Sequence, residues 1–102
     1  MGAELLTIPE CPHAAAAQQL FERALRLAGI PGMVHLVVDS EEEAALLGFH
    51  GSPTFQIDDQ DLFPVLGEPA LSCRIYPTPD GPRSLPDLES LRTAIQEKLN
   101  GM

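Results

Sequence analysis

Two cysteines and three histidines are the residues of this chain best suited to nucleophilic or metal chemistry. Cys11 is followed by Pro12, His13 and Ala14, at the start of an Ala-rich run that favours helix. Because proline is favoured at the first position of a helix, the sequence predicts that a helix begins at Pro12 with Cys11 at its N-terminus. A helix N-terminus and a charged His13 both stabilise a thiolate, the nucleophilic form of cysteine. Cys11 is therefore predicted to be a reactive thiol that His13 supports.

Hydrophobic periodicity predicts the elements that position this thiol. Apolar residues recur every three or four positions from Pro12 to Ala28 and again after Ser84, which acts as a predicted N-cap, so both stretches are expected to be amphipathic helices. A capping box that begins at Ser40 predicts a short helix ending at Gly48. Four apolar runs are predicted to be strands: Glu4–Ile8, Met33–Val38, Thr54–Ile57 and Leu71–Tyr76. The second run is almost continuously apolar, which predicts cover on both of its faces.

The predicted order is strand, helix, strand, helix, strand, strand, helix, an α/β arrangement. In this order, Cys-Pro-His-Ala at Cys11–Ala14 and Gly-Ser-Pro-Thr at Gly51–Thr54 resemble the two active-site motifs of the thioredoxin-like superfamily. The blocks Gly51–Thr54 and Leu71–Tyr76 also look like those of small bacterial thioredoxin-like proteins, some of which are labelled as related to alkylmercury lyases. The resemblance implies one thioredoxin-like domain over residues 1–102, with a four-stranded mixed sheet flanked by helices (β-α-β-α-β-β-α).

The resemblance also assigns roles to individual residues. Cys11 would be the nucleophile, with Pro12 beside the substrate. Pro53 would follow a cis peptide bond, although most X–Pro bonds are trans. That bond would aim the backbone of Ser52 at an extended substrate, which would pair with it in strand fashion, and Thr54 would begin the strand beneath.

Ala14 departs from the family pattern, because dithiol enzymes carry their resolving cysteine there and the usual two-cysteine cycle cannot run without it. Several interpretations stay open. Cys11 acts as a monothiol whose adduct is resolved by glutathione or another small thiol, or Cys73 resolves the adduct. Otherwise the domain is a redox-inactive module that binds a partner through the same groove or through the apolar loop of residues 58–70. A further alternative is capture of mercury or another soft metal by the thiols.

Two roles are considered for Cys73 in this fold: a second thiol and a packed core residue. The fourth strand would place Tyr76 nearest Pro53 and leave Cys73 roughly 10 Å away along the strand. A disulfide needs Cα atoms within about 7 Å, so a direct bond to Cys11 would require rearrangement. Free cysteines are also among the most buried residue types, which favours core packing for Cys73 over a role as a second thiol.

A further candidate site is the loop that carries Arg83 and Ser84. Glutaredoxins hold a glutathione carboxylate at the corresponding helix start, where amides and dipole attract anions. The resemblance implies the same for Arg83 and Ser84, and the alternative is an ordinary capped loop with a solvated arginine. No cofactor is expected apart from glutathione as a co-substrate. A metal site of Cys11, His13 and Cys73 would lack a fourth ligand, so no metal is expected.

Composition limits the classes of partner. The chain has 102 residues, 44% of them hydrophobic, which suits one packed domain. Six basic and fifteen acidic residues give a net charge of −9, which disfavours nucleic acid and anionic membranes. No stretch is apolar and long enough to be a signal peptide or a membrane span, and the cysteine usage suits a reducing compartment. The sequence therefore predicts a cytoplasmic protein that acts on a thiol or disulfide of a protein or of glutathione.

Overall fold

A computed structural model describes residues 2–65 and 67–101 as a four-stranded mixed sheet with three helices. The elements, in chain order, are β1 (Ala3–Thr7), α1 (Ala14–Leu27), β2 (Val34–Val37), α2 (Glu41–Leu47), β3 (Thr54–Ile57), β4 (Gln60–Asp61) and α3 (Leu88–Asn100). Their order agrees with the order that the sequence predicts. No helix in the described ranges combines the length and apolar character needed to cross a membrane.

The sheet has the strand order β2-β1-β3-β4. β1 runs parallel to β2, with Leu5 opposite His35, and antiparallel to β3, with Leu5 opposite Phe55. All four residues of β3 are buried, as are four of the five in β1, because these central strands are covered on both faces.

Two hydrophobic clusters cover the two faces of the sheet. The larger one joins β1 and β3 to α1 and α3, and Phe21 packs edge-on against Phe55 with ring centroids 5.1 Å apart. The smaller one holds α2 through Ala44, next to Leu6 and Phe49. This arrangement leaves the C-terminal end of β1, where the chain turns into α1, as the position from which Cys11 is presented.

β2 differs from the prediction that both of its faces are covered. It is an edge strand, with Val34 and Val37 more than half exposed. A continuous apolar run is typical of a central strand, but here helix cover is concentrated over β1 and β3. The run therefore predicts the strand and misplaces it within the sheet.

β4 is also not the predicted strand Leu71–Tyr76. β3 turns directly into β4 through Asp58 and Asp59, whose φ angles are 51° and 64°. A two-residue hairpin with a type I′ turn requires positive φ at both central positions, and aspartate tolerates that conformation better than most residues. The turn pairs Gln56 with Asp61 and ends the sheet there, so the segment after it is left to other contacts.

The short helix α2 confirms its predicted ends. Ser40 is the N-cap, and its hydroxyl accepts a hydrogen bond from the N–H of Glu43 at 3.1 Å. Gly48 closes the helix in the left-handed conformation, with φ of 65°.

Candidate functional site

Cys11 lies in the turn that joins β1 to α1. Its N–H donates to the carbonyl of Ile8 at 3.3 Å, and its carbonyl accepts from the N–H of Ala14 at 3.2 Å. The helix begins at Ala14 with His13 as its N-cap, so the predicted start at Pro12 is wrong. The hydrogen bonds of the turn hold Cys11 ahead of the cap, half-buried. No side chain caps α1, and its positive end therefore faces the turn that carries the thiol.

One hydrogen bond ties this turn to the second sequence motif. The hydroxyl of Ser52 accepts from the N–H of Ile8 at 3.1 Å, and Ile8 is the residue whose carbonyl binds Cys11. Ser52 and Pro53 are buried, and the peptide bond between them is cis. The two motifs therefore meet at the C-terminal end of β1.

The backbone of Ser52 already has partners within the chain. Its N–H donates to the carbonyl of Ser72 at 2.7 Å, and its carbonyl accepts from the N–H of Arg74 at 3.0 Å. Ser52 and Cys73 thus form a parallel β-bridge. The chain's own segment 72–74 therefore takes the pairing position in which the resemblance implies an extended substrate.

Cys73 differs from its predicted place in the core. Its side chain is exposed, and its residue pairs directly with Ser52 rather than lying some distance along a fourth strand. In the run from Leu71 to Tyr76, Leu71 and Ile75 are exposed while Arg74 and Tyr76 are buried. The apolar members of the alternation therefore face solvent, which is the reverse of the usual pattern.

Arg74 explains this inversion and was not identified from the sequence. Its guanidinium forms an ion pair with Asp61 at 2.8 Å and donates to the hydroxyl of Thr54 at 3.3 Å and to the carbonyl of Phe63. It also lies 4.9 Å from the centre of the Tyr76 ring. A buried charge is tolerated only when such partners satisfy it, and together they hold the segment with Arg74 inward. The sequence signal that could have identified Arg74 is an arginine between apolar residues, in a chain whose many acidic residues could pair with it.

Tyr76 and Thr54 support the site from inside. The hydroxyl of Tyr76 donates to the carbonyl of Pro53, so Tyr76 lies next to Pro53, as predicted. Burial raises the pKa of Tyr76 above its ordinary value. Thr54 is fully buried, and its hydroxyl donates to the carbonyl of Gly51 at 2.6 Å. Thr54 begins β3, and its hydroxyl holds the Gly51 turn from inside the protein.

Arg83 and Ser84 lie with His13 in one groove. The groove has a volume of about 420 Å³, and Asp80 and Asp87 are also part of its lining. Both signs of charge are thus present beside the turn of Cys11. The structure joins the candidate anion-binding loop to the candidate thiol site through His13.

Ser84 is not the cap of the last helix. Asp87 is the N-cap, and its carboxylate accepts from the N–H of Ser90 at 3.1 Å and from the Ser90 hydroxyl at 2.7 Å. These hydrogen bonds lower the pKa of Asp87. A carboxylate of the chain itself therefore occupies the helix start at which the resemblance implies anion binding.

The other two histidines have hydrogen-bond partners of their own. His35 shares a hydrogen bond of 2.8 Å with the hydroxyl of Thr7, and His50 one of 3.0 Å with the carbonyl of Gly67. Within residues 2–65 and 67–101, no three His, Cys, Asp or Glu side chains are grouped so that they could hold a metal ion.

No protein-family model matches the chain, and neither a curated protein nor a solved structure matches it at a significant level.

Proposed function

We propose that the chain has a thioredoxin-like fold and carries out thiol–disulfide exchange as a monothiol protein, with Cys11 as its nucleophile. The fold assignment is supported by the strand order and directions of the sheet and by a cysteine in the β1–α1 turn. The observation that carries the function is the hydrogen-bonded path from Cys11 through Ile8 to Ser52. This path ties the turn that carries a partly accessible thiol to the second motif, at the uncapped end of α1.

The reaction we propose uses a mixed disulfide of glutathione as substrate. The Cys11 thiolate attacks the glutathione sulfur, the S–S bond breaks, and the other sulfur leaves as a thiolate. A second glutathione thiolate then attacks the Cys11 adduct, which releases Cys11 and forms glutathione disulfide. The groove beside His13 offers Arg83 to a carboxylate of glutathione and Asp80 to its ammonium group.

Single-cysteine variants test this proposal. Cys73→Ser leaves only Cys11, and Cys11→Ser leaves only Cys73. Each variant is mixed with glutathione disulfide, quenched with acid and examined by intact-mass spectrometry for the adduct. We expect Cys11 to form the adduct at least roughly tenfold faster than Cys73, because in the proposed reaction the uncapped N-terminus of α1 stabilises the Cys11 thiolate, whereas Cys73 lies in the segment that pairs with Ser52. We also expect reduced glutathione to remove the Cys11 adduct.

Exposure provides the internal control, because Cys73 is the more exposed thiol. If accessibility alone set the rates, Cys73 would react first. A Cys11 that reacts no faster than Cys73, or an adduct that reduced glutathione leaves in place, contradicts the exchange function.

A second candidate function is binding without thiol chemistry, and one observation favours it. The hydrogen-bonding groups of the Ser52 backbone are both used within the chain, so a substrate cannot pair with them while segment 72–74 is in place. Under this alternative, Cys11→Ser binds the partner as well as the parent protein does. Under the exchange function, the same variant loses the covalent adduct that a disulfide substrate forms at position 11.

A further inference from the structure

On the side of segment 71–75 that faces away from Ser52, no backbone hydrogen bond is made to residues 2–65 or 67–101. The segment's even-numbered residues bond to Ser52, and backbone groups of successive residues in an extended chain point to opposite sides. The N–H and C=O of Cys73 therefore point away from Ser52. Across residues 2–65 and 67–101, no hydrogen bond involves the backbone of Cys73 or Ile75. An edge of this kind is a template for another extended chain.

Apolar surface adjoins this edge. Leu71 is 36% exposed, Val65 47% and Ile75 62%. Beside them lies a groove of about 400 Å³, whose apolar lining includes Leu62, Phe63, Pro64, Val65, Ile75 and Pro77. Because Arg74 faces inward, Leu71 and Ile75, which alternate with it, face outward. Contiguous exposed apolar surface of this kind is typical of an interaction site.

Charge decides which occupant fits. Arg74 also lines the groove, but its guanidinium is taken up by Asp61, Thr54 and Phe63. The chain as a whole carries a net charge of −9. Its long-range field therefore attracts a basic segment and repels a second copy of the same acidic chain.

We propose that segment 71–75 and the adjoining groove bind an extended, basic polypeptide segment of a partner protein, with apolar side chains at alternate positions. The segment adds as a strand, so that its backbone pairs with Cys73 and alternate side chains enter the groove beside Ile75. Basic residues between or beside them are attracted by the net negative charge of the chain. This binding requires no thiol reaction and goes beyond the exchange that we assign to Cys11.

The test uses a fluorescent peptide of alternating valine and serine with lysines at both ends, titrated with the reduced protein while anisotropy is recorded. Ile75→Asn and Leu46→Asn form a matched pair, because both replace an exposed aliphatic side chain and Leu46, at 85% exposure, lies on α2. We expect Ile75→Asn to weaken binding roughly tenfold, since an apolar contact is lost, and Leu46→Asn to leave it unchanged. Cys11→Ser should bind like the parent protein.

Two altered peptides examine the strand pairing and the charge. A version methylated on alternate backbone nitrogens cannot donate to Cys73, and a version with glutamate in place of lysine has the wrong charge, so both are expected to bind at least roughly tenfold more weakly. The proposal is overturned if no saturable binding occurs up to about 1 mM, or if the two asparagine variants weaken binding equally. It is also overturned if sedimentation shows a dimer that Ile75→Asn dissolves, because the occupant is then a second copy.

Discussion

Tyr76 is the residue on which several parts of the site converge. Its ring packs against Phe55 and Phe63 with centroids 5.9 Å and 5.3 Å away, and its hydroxyl donates to the carbonyl of Pro53. It is also the only tyrosine of the chain, which has no tryptophan. Tyrosinate absorbance therefore reports this one buried hydroxyl without interference.

Alkaline pH should unfold the protein through Tyr76. Its pKa in the folded state is raised by burial above the unfolded value of about 10, so its contribution to stability is complete below that pH and is lost as the pH rises above it. We expect tyrosinate absorbance and loss of helical circular dichroism to appear in the same transition. Absorbance that rises fully while the helices persist would contradict this expectation.

Removing the hydroxyl tests the same contact at neutral pH. Tyr76→Phe leaves the buried carbonyl of Pro53 without its donor, which we expect to cost about 1–3 kcal/mol in the free energy of unfolding measured with urea. A loss well below this range would show that the hydrogen bond adds little to the stability of the Pro53 turn.

At the scale of elements, α3 has two candidate N-caps, the predicted Ser84 and the observed Asp87. Asp87 accepts two hydrogen bonds from Ser90, whereas Ser84, the cap predicted from the sequence, lies in the preceding loop. We expect Asp87→Ala to lower the melting temperature by about 4 °C and Ser84→Ala to leave it nearly unchanged. Equal effects of the two substitutions would place the helix start elsewhere.

Acid adds a second readout for Asp87. Because hydrogen bonding lowers its pKa in the folded state, its contribution is complete above the unfolded value of about 3.9 and is lost as the pH falls through the lower, folded value. The difference in melting temperature between the parent protein and Asp87→Ala should therefore shrink below pH 4 or so.

Gly51 controls how closely segment 72–74 approaches the Ser52 turn. Its φ is 121°, and an added Cβ would lie 3.0 Å from the Cβ of Arg74. We expect Gly51→Ala to cost about 1–3 kcal/mol and to speed hydrogen exchange at the Arg74 amide. Gly32→Ala is the control, because nothing lies within 4 Å of its added Cβ. Unchanged exchange at Arg74 in Gly51→Ala would mean that the segment does not depend on this close approach.

Local signals predicted the elements well where one interaction decides the outcome. The Ser40 cap and the apolar period of α1 depend on neighbouring residues, and both were confirmed. The fourth strand depended on a competition between two segments, which the turn at Asp58 decided through its backbone conformation. The burial of Arg74 depends on Asp61, a distant residue, and no local pattern contains that information.

The same limit applies to the candidate site. The sequence identifies Cys11, Ser52 and Pro53 as candidates, and Ile8 connects the backbone of Cys11 to the hydroxyl of Ser52. It misjudged Cys73, because the apolar character of a run indicates which side chains would gain from burial and not which ones obtain it.

At the scale of the whole molecule, the acidic surface is poorly neutralised. Within residues 2–65 and 67–101 there are two ion pairs, Arg74 with Asp61 and Arg92 with Glu89. Several carboxyl groups face one another instead. Burial and the neighbouring Asp59 raise the pKa of Glu4.

Salt should therefore stabilise the protein at neutral pH. With a net charge of −9, repulsion among exposed carboxylates opposes the compact state, and ions screen that repulsion once the Debye length falls below the spacing of the charges. We expect the melting temperature to rise by about 4 °C between roughly 10 mM and 500 mM sodium chloride. The raised pKa of Glu4 means that its unfavourable contribution is absent at low pH, where the carboxyl is protonated in both states, and develops as the pH rises through the folded value. The gain in melting temperature from salt should therefore be smaller in acid than at pH 7. A melting temperature that falls with salt at pH 7 would mean that the two ion pairs stabilise the fold more than the carboxylate repulsion destabilises it.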